Sequence, residues 1–253
     1  DVNVYSSSAP VLTIDPGVTL KFNQYRMLWI GNGATPGALY AVGAPSAPIV
    51  FTSNQASPTP GYWGGIYFSD GTVDANTVLE NVTVEYGGYN YSSNLYVYYA
   101  SPTIRNSVIQ KSSGYGIYTY GSSTPTIQNN TIVNNGTYGF YDYSGTVAAL
   151  SGNTFSGNGS YPAHIGINQT GSVNTYGTNG VNAVEVVGGV VSQNLTMKNT
   201  GLPYIITSDV NVYSSSAPVL TIDPGVTLKF NQYRMLWIGN GATPGALCAV
   251  GGP

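Results

Sequence analysis

The sequence predicts an all-β parallel solenoid with coils of about 23 residues, and three observations predict it. First, Ser101-Pro-Thr-Ile-Arg-Asn-Ser-Val-Ile is followed 23 positions later by Thr124-Pro-Thr-Ile-Gln-Asn-Asn-Thr-Ile. Second, apolar pairs recur in step as Leu79/Val84, Ile104/Ile109, Ile127/Ile132 and Leu150/Phe155, and Tyr115, Tyr138 and Tyr161 keep the same register. Third, Gly, Asn and Ser interrupt every window before a helical stripe can form, whereas Val11-Leu-Thr-Ile and Val18-Thr-Leu-Lys-Phe alternate as strands do, with Pro16-Gly17 marking a turn between them.

Stacking at the inter-strand spacing of about 4.8 Å places like residues in ladders. Ile104, Ile127 and Leu150 are expected in one internal stack, and Ile109, Ile132 and Phe155 in another. Asn106 and Asn129 also fall in step, and Gly152 ends that Asn series.

A longer repeat encloses the short one. Residues 1–43 recur as 209–251, with Tyr40 replaced by Cys248 as the one difference. The expected organisation is a single continuous solenoid over 1–253, with 1–208 one complete unit of roughly nine coils and 209–253 the start of the next. No cap is visible at either end, so both ends are expected to offer open strand edges to other copies.

Composition limits the partners. Only 7% of the 253 residues are charged, the net charge is −3, and there is no basic stripe to hold a phosphate backbone, which argues against nucleic acid. No apolar run approaches the roughly 20 residues that span a bilayer, so membrane insertion is not expected. The first residues lack the basic and apolar regions of a signal peptide, and the chain reads as a processed or excised segment. Asn-x-Ser/Thr triplets at Asn81, Asn90, Asn129, Asn135, Asn158, Asn168 and Asn194 are candidate glycosylation sites, although an Asn/Ser/Thr-rich chain also generates such triplets by chance. Cys248, the single cysteine, excludes an internal disulfide; it is a buried thiol, a thiol for an intermolecular disulfide, or an engineered or terminal-repeat substitution.

Catalytic chemistry finds few residues. Asp70 and Asp74 are the one close pair of aspartates, too few oxygens for Ca²⁺, and read as a turn and a loop acid. Glu80 and Glu85, five apart, point to opposite faces of a regular strand and do not form a glycosidase pair. Asp142 replaces Thr119 in its coil and stands alone among tyrosines. His164 is in step with Tyr118 and Tyr141 and reads as a ladder or surface position. No catalytic residue, metal site or cofactor is assigned.

Tyrosine supplies the candidate surface. Tyr118 with Tyr141, and Tyr120 with Tyr143, are in step, and if Ile117 and Phe140 face inward, alternation sends all four rings outward. Such rows pack on one another, bury a neighbouring solenoid, or receive sugar rings.

The ordered series Val11-Leu-Thr-Ile-Asp-Pro-Gly-Val-Thr-Leu-Lys-Phe, Ala47-Pro-Ile-Val-Phe-Thr-Ser, Trp63-Gly-Gly-Ile and Val84-Glu-Tyr-Gly-Gly is similar to the right-handed parallel β-helix modules of large bacterial and archaeal surface proteins. The resemblance covers most of the chain. It implies a right-handed coil, an extracellular, cell-surface location, and a structural module self-associating in a sheath, filament or surface layer. The alternatives it leaves are a glycan-binding adhesin using the tyrosine rows and, behind that, a polysaccharide lyase or hydrolase.

Overall fold

The computed structural model describes residues 1–145 and 149–251. Ten coils stack into a right-handed parallel β-helix. One sheet runs its full length through the strands Val2–Val4, Met27–Ile30, Gly65–Phe68, Ser93–Tyr98, Tyr115–Tyr120, Phe140–Asp142, Ala163–Gly166, Val184–Val187, Tyr204–Ile206 and Leu228–Phe230. A second sheet of six strands extends from Val11–Ile14 to Ala149–Ser151, and a third of seven from Thr19–Phe22 to Thr175–Tyr176. Two three-stranded sheets complete the C-terminal coils.

The expected core stacks form. Leu79, Ile104, Ile127 and Leu150 are in register on the second sheet, and Val84, Ile109, Ile132 and Phe155 on the third. All eight are at most 1% exposed. Parallel in-register pairing forces this outcome: once one coil turns an aliphatic side chain inward, the residue above it shares that interior.

The polar part of the interior differs from the sequence reading by one residue. Asn106 (φ +52°), Asn129 (φ +56°) and Gly152 (φ +69°) are left-handed corners between the second and third sheets, and Gly152 continues the series because glycine adopts positive φ without strain. The residue after each corner carries the ladder. Ser107, Asn130, Asn153 and Asn174 form one column, each side-chain oxygen of the three asparagines accepting the backbone N–H of the coil before it at 3.0 Å. Lys111, Asn134 and Gly157 repeat the device at the far end of the third-sheet strands, and Ser112, Asn135, Asn158 and Asn179 make the second column.

Coil length varies. Cα partners on the long sheet are 22 or 23 residues apart from Leu95 through Ile117 and Phe140 to Ala163, but 38 apart from Leu28 to Ile66 and 29 from Ile66 to Leu95. The longer early coil carries side loops closed by antiparallel bridges, Asn32 with Thr35 and Ala44 with Ala47.

The two copies of the duplicated segment fold alike but sit differently on the coil. In both, the first aspartate accepts a backbone N–H at 3.0 Å, Asp1 from Met27 and Asp209 from Met235. Yet Val2–Val4 and Met27–Ile30 belong to the long sheet, whereas their counterparts Val210–Val212 and Leu236–Ile238 lie in a separate three-stranded sheet. The long sheet instead takes up Leu228–Phe230, the counterpart of part of Thr19–Phe22. The unit therefore advances eight coils and one further face, roughly 40 Å, rather than nine whole coils.

Candidate functional site

The outer face of the long sheet is a wall of aromatic rings. Ile66, Leu95, Ile117 and Phe140 point inward, as do Phe68, Val97, Thr119 and Asp142 two residues on, so the residues between and after them point out. One column runs Trp29, Tyr67, Tyr96, Tyr118, Tyr141, His164, with ring centroids 4.2, 5.2, 5.0, 5.4 and 4.1 Å apart. A second runs Tyr98, Tyr120, Tyr143 at 5.5 and 4.9 Å, and a third Tyr115, Tyr138, Tyr161 at 5.8 and 5.6 Å. Edge contacts tie the first and third columns together, Tyr115 on Tyr118 at 5.1 Å and Tyr138 on Tyr141 at 5.0 Å.

The four tyrosines singled out from sequence, Tyr118, Tyr120, Tyr141 and Tyr143, stand together in this wall. Trp29, Tyr67, Tyr96 and Tyr98 extend it, and a fixed 23-residue step misses them because the coils there are 38, 29 and 22 residues long. Within a column the ring faces cover one another, leaving ring edges and hydroxyls outward. Faces open where a column ends or a ring is set crosswise: Tyr143 is 55% exposed, and Tyr99, at 81° to Tyr98, is 48% exposed.

Phenols within the wall are held in their neutral form. Burial first, then neighbouring phenols, pushes the Tyr67 and Tyr118 hydroxyls well above the usual tyrosine value. Tyr138 is raised by burial and then by Glu185, whose carboxylate accepts its hydroxyl at 3.1 Å. These phenols remain hydrogen-bond donors across any physiological pH.

His164 closes the first column. It is 7% exposed and stacks on Tyr141; Nδ1 donates to the Asp142 carbonyl at 3.1 Å, while Nε2 faces Glu185 at 3.7 Å. Burial lowers its pKa below 6.5, and the Glu185 charge only partly opposes this. The unfolded chain then binds the proton more tightly, so stability present above pH 6.5 is lost as the pH falls from there toward the folded-state pKa. His164→Phe is expected to reduce the fall in melting temperature between pH 7.5 and pH 5; an unchanged fall would assign the acid sensitivity to other groups.

The acids are dispersed. Asp142 does not stand among the tyrosines but is buried beneath them, 1% exposed, accepting from Thr119 Oγ1 at 3.2 Å. Glu80 and Glu85 are not on opposite faces of one strand, because the left-handed Asn81 (φ +49°) puts a corner between them and turns both outward on adjacent sheets. Each is engaged: Glu80 with Arg105 at 2.7 Å and Asn106 at 3.1 Å, Glu85 with Thr52 at 2.9 Å and Gln110 at 2.7 Å. Asp74 accepts the Ser101 N–H at 2.7 Å. Among the described residues no group of three or more His, Cys, Asp or Glu is placed to hold a metal ion, and no helix is long and apolar enough to cross a membrane.

The candidate glycosylation sites divide. Asn90, Asn129, Asn168 and Asn194 are exposed, and Asn81 is half-buried with its amide donating to the Gly43 carbonyl at 3.2 Å. Asn135 and Asn158 are buried ladder members, their amides donating to Ile109 and Ile132 carbonyls, so the folded coil withholds both from modification. Cys248 is exposed, so no void is left in the core by the loss of the tyrosine ring.

One concavity lies off the wall, between Asp1, Val2, Leu20, Phe22 and Arg26. The family model described as right handed beta helix region matches residues 44–200, well over half of the chain. No curated protein and no solved structure matches it.

Proposed function

We propose that the chain, which belongs to the right-handed β-helix family, is a rigid extracellular module that binds neutral glycans along its tyrosine wall. The observation that carries this reading is the wall itself, three adjoining columns of aromatic rings held outward over consecutive coils. Aromatic groups with a polar tip suit a partner that is apolar on one side and hydroxylated on the other. The phenols offer neutral donors and acceptors to sugar hydroxyls, and the open rings of Tyr143 and Tyr99 offer faces for sugar C–H groups. A surface with so few charges favours neutral over acidic saccharides. The carboxylates are scattered, and Asp74, Glu80 and Glu85 are each engaged by neighbouring groups, which supports binding without turnover.

Calorimetric titration with a panel of neutral oligosaccharides tests this. Saturable binding is expected, with Tyr143→Ala weakening it about tenfold or more while melting stays within a degree or two, since exposed positions contribute little to stability. Absence of saturable binding, or binding untouched by Tyr143→Ala and Tyr99→Ala together, would count against the proposal. A second reading, a structural unit of a tandem array forming a sheath, filament or surface layer, is favoured by the recurrence of residues 1–43 as 209–251.

A further inference from the structure

One pair of rings in the wall is set unlike the rest. Tyr120 and Tyr143 have centroids 4.9 Å apart, whereas the other in-register tyrosine pairs of the three columns lie 5.0 to 5.8 Å apart. Their planes meet at 27°, against 4° for Tyr118 and Tyr141, so the two rings close on each other along one edge instead of lying face to face. Hydrogen bonds on either side fix the pair: the Tyr143 N–H donates to the Thr119 carbonyl and the Gly121 N–H to Ser144 Oγ, each at 3.0 Å. Tyr143 is 55% exposed, while the other rings of the columns are buried or half-buried. Both strands that carry the pair lie in mid-solenoid, with further strands of the long sheet on either side.

We propose that Tyr120 and Tyr143 form a modification site, at which a peroxidase acting with hydrogen peroxide joins the two rings as dityrosine and staples one coil to the next. Each phenol gives up one electron and one proton, and the two phenoxyl radicals form a carbon–carbon bond between positions ortho to their oxygens. The ring hydrogens at the new bond then leave as protons and both oxygens are reprotonated. The pair has lost two hydrogen atoms, and one peroxide has become two waters. Tyr143 is the point of oxidation because solvent reaches it, and Tyr120 is the partner because it is already in contact, which makes the coupling effectively unimolecular. In the first column burial holds the Tyr118 phenol to its proton, which opposes the same loss there. The bond closes a loop of 143 − 120 = 23 residues in a chain whose single cysteine leaves it no internal disulfide. It constrains the unfolded chain as a disulfide does. This inference is independent of glycan binding.

Treating the 253-residue chain with a haem peroxidase and hydrogen peroxide, then mapping its peptides by mass spectrometry, tests this. The monomer is expected to carry a Tyr120–Tyr143 cross-link, short of two hydrogen atoms and showing dityrosine fluorescence, in a yield that does not change with protein concentration. That product is expected to exceed any Tyr118–Tyr141 product by about tenfold or more, since the parallel, half-buried pair lacks both the tilt and the access. Tyr25 and Tyr89, 4.1 Å apart on other loops, are a second close pair, and the peptide map separates their product. The linked monomer is expected to melt at a higher temperature than the unlinked one. Absence of the Tyr120–Tyr143 link, its appearance only between chains, or a yield no greater than that of Tyr118–Tyr141 would overturn the proposal. A linked monomer that melts no higher would overturn its role as a staple.

Discussion

Asn153→Ala is expected to destabilise the protein by about 3–5 kcal/mol, because each buried polar group left without its partner costs about 1–3 kcal/mol. Asn153 is fully buried. Its Oδ1 accepts the Asn130 backbone N–H and side-chain amide, each at 3.0 Å, and its Nδ2 donates to the Ile127 carbonyl at 2.9 Å and to Asn174 Oδ1 at 3.0 Å. Truncation leaves the Asn130 N–H and the Ile127 carbonyl facing an apolar void in mid-ladder. Urea unfolding at constant slope measures the effect. Asn134→Ala, at a solvent-facing corner one residue before a ladder position, is the comparison: its cost is limited to the positive φ of +56°. Equal losses for the two substitutions would show that the ladder carries no special share of stability.

Trp63→Ala is the other large effect, expected at about 3–5 kcal/mol. Trp63 is fully buried, lies parallel to Phe22 with centroids 4.2 Å apart, and donates Nε1–H to the Glu85 carbonyl at 2.8 Å. One side chain thereby joins the first coil to the third. Its removal opens a cavity too deep for neighbouring strands to close, since each is fixed by its own ladder. Amide exchange should rise first in residues 19–22 and their neighbours, and later in the central coils. A uniform rise along the whole helix would contradict this local role.

Much of this architecture is legible in the sequence because parallel stacking turns a spatial neighbour into a fixed step along the chain. Ile104, Ile127 and Leu150, and Tyr118 with Tyr141, are found by that step alone. What escapes it is physical in origin. Asn129-Asn130 and Asn134-Asn135 each hold two asparagines with opposite duties, the first adopting positive φ at a corner and the second hydrogen-bonding inside, and composition does not separate them. The next coil does: Gly152-Asn153 and Gly157-Asn158 keep the inner asparagine and replace the corner residue with glycine, the substitution that only a backbone role tolerates. Trp63 stands out in the sequence only as part of a family resemblance, because its partners Phe22 and Glu85 lie in coils of unequal length. Asp142 reads with the wall because it is flanked by tyrosines, though strand alternation alone places it beneath them.

The extra face in the 208-residue step has a consequence for any array that continues it. Each unit starts about a third of a turn round from the one before, so successive tyrosine walls wind about the axis as a slow screw. Three units, roughly 120 Å, bring a wall back to its first direction. A long ligand lying straight along the fibre would meet one wall and then pass two turned away from it. Partners arriving from three sides would each find a wall of their own, so such an array would tether separate chains around its circumference rather than grip one along its length.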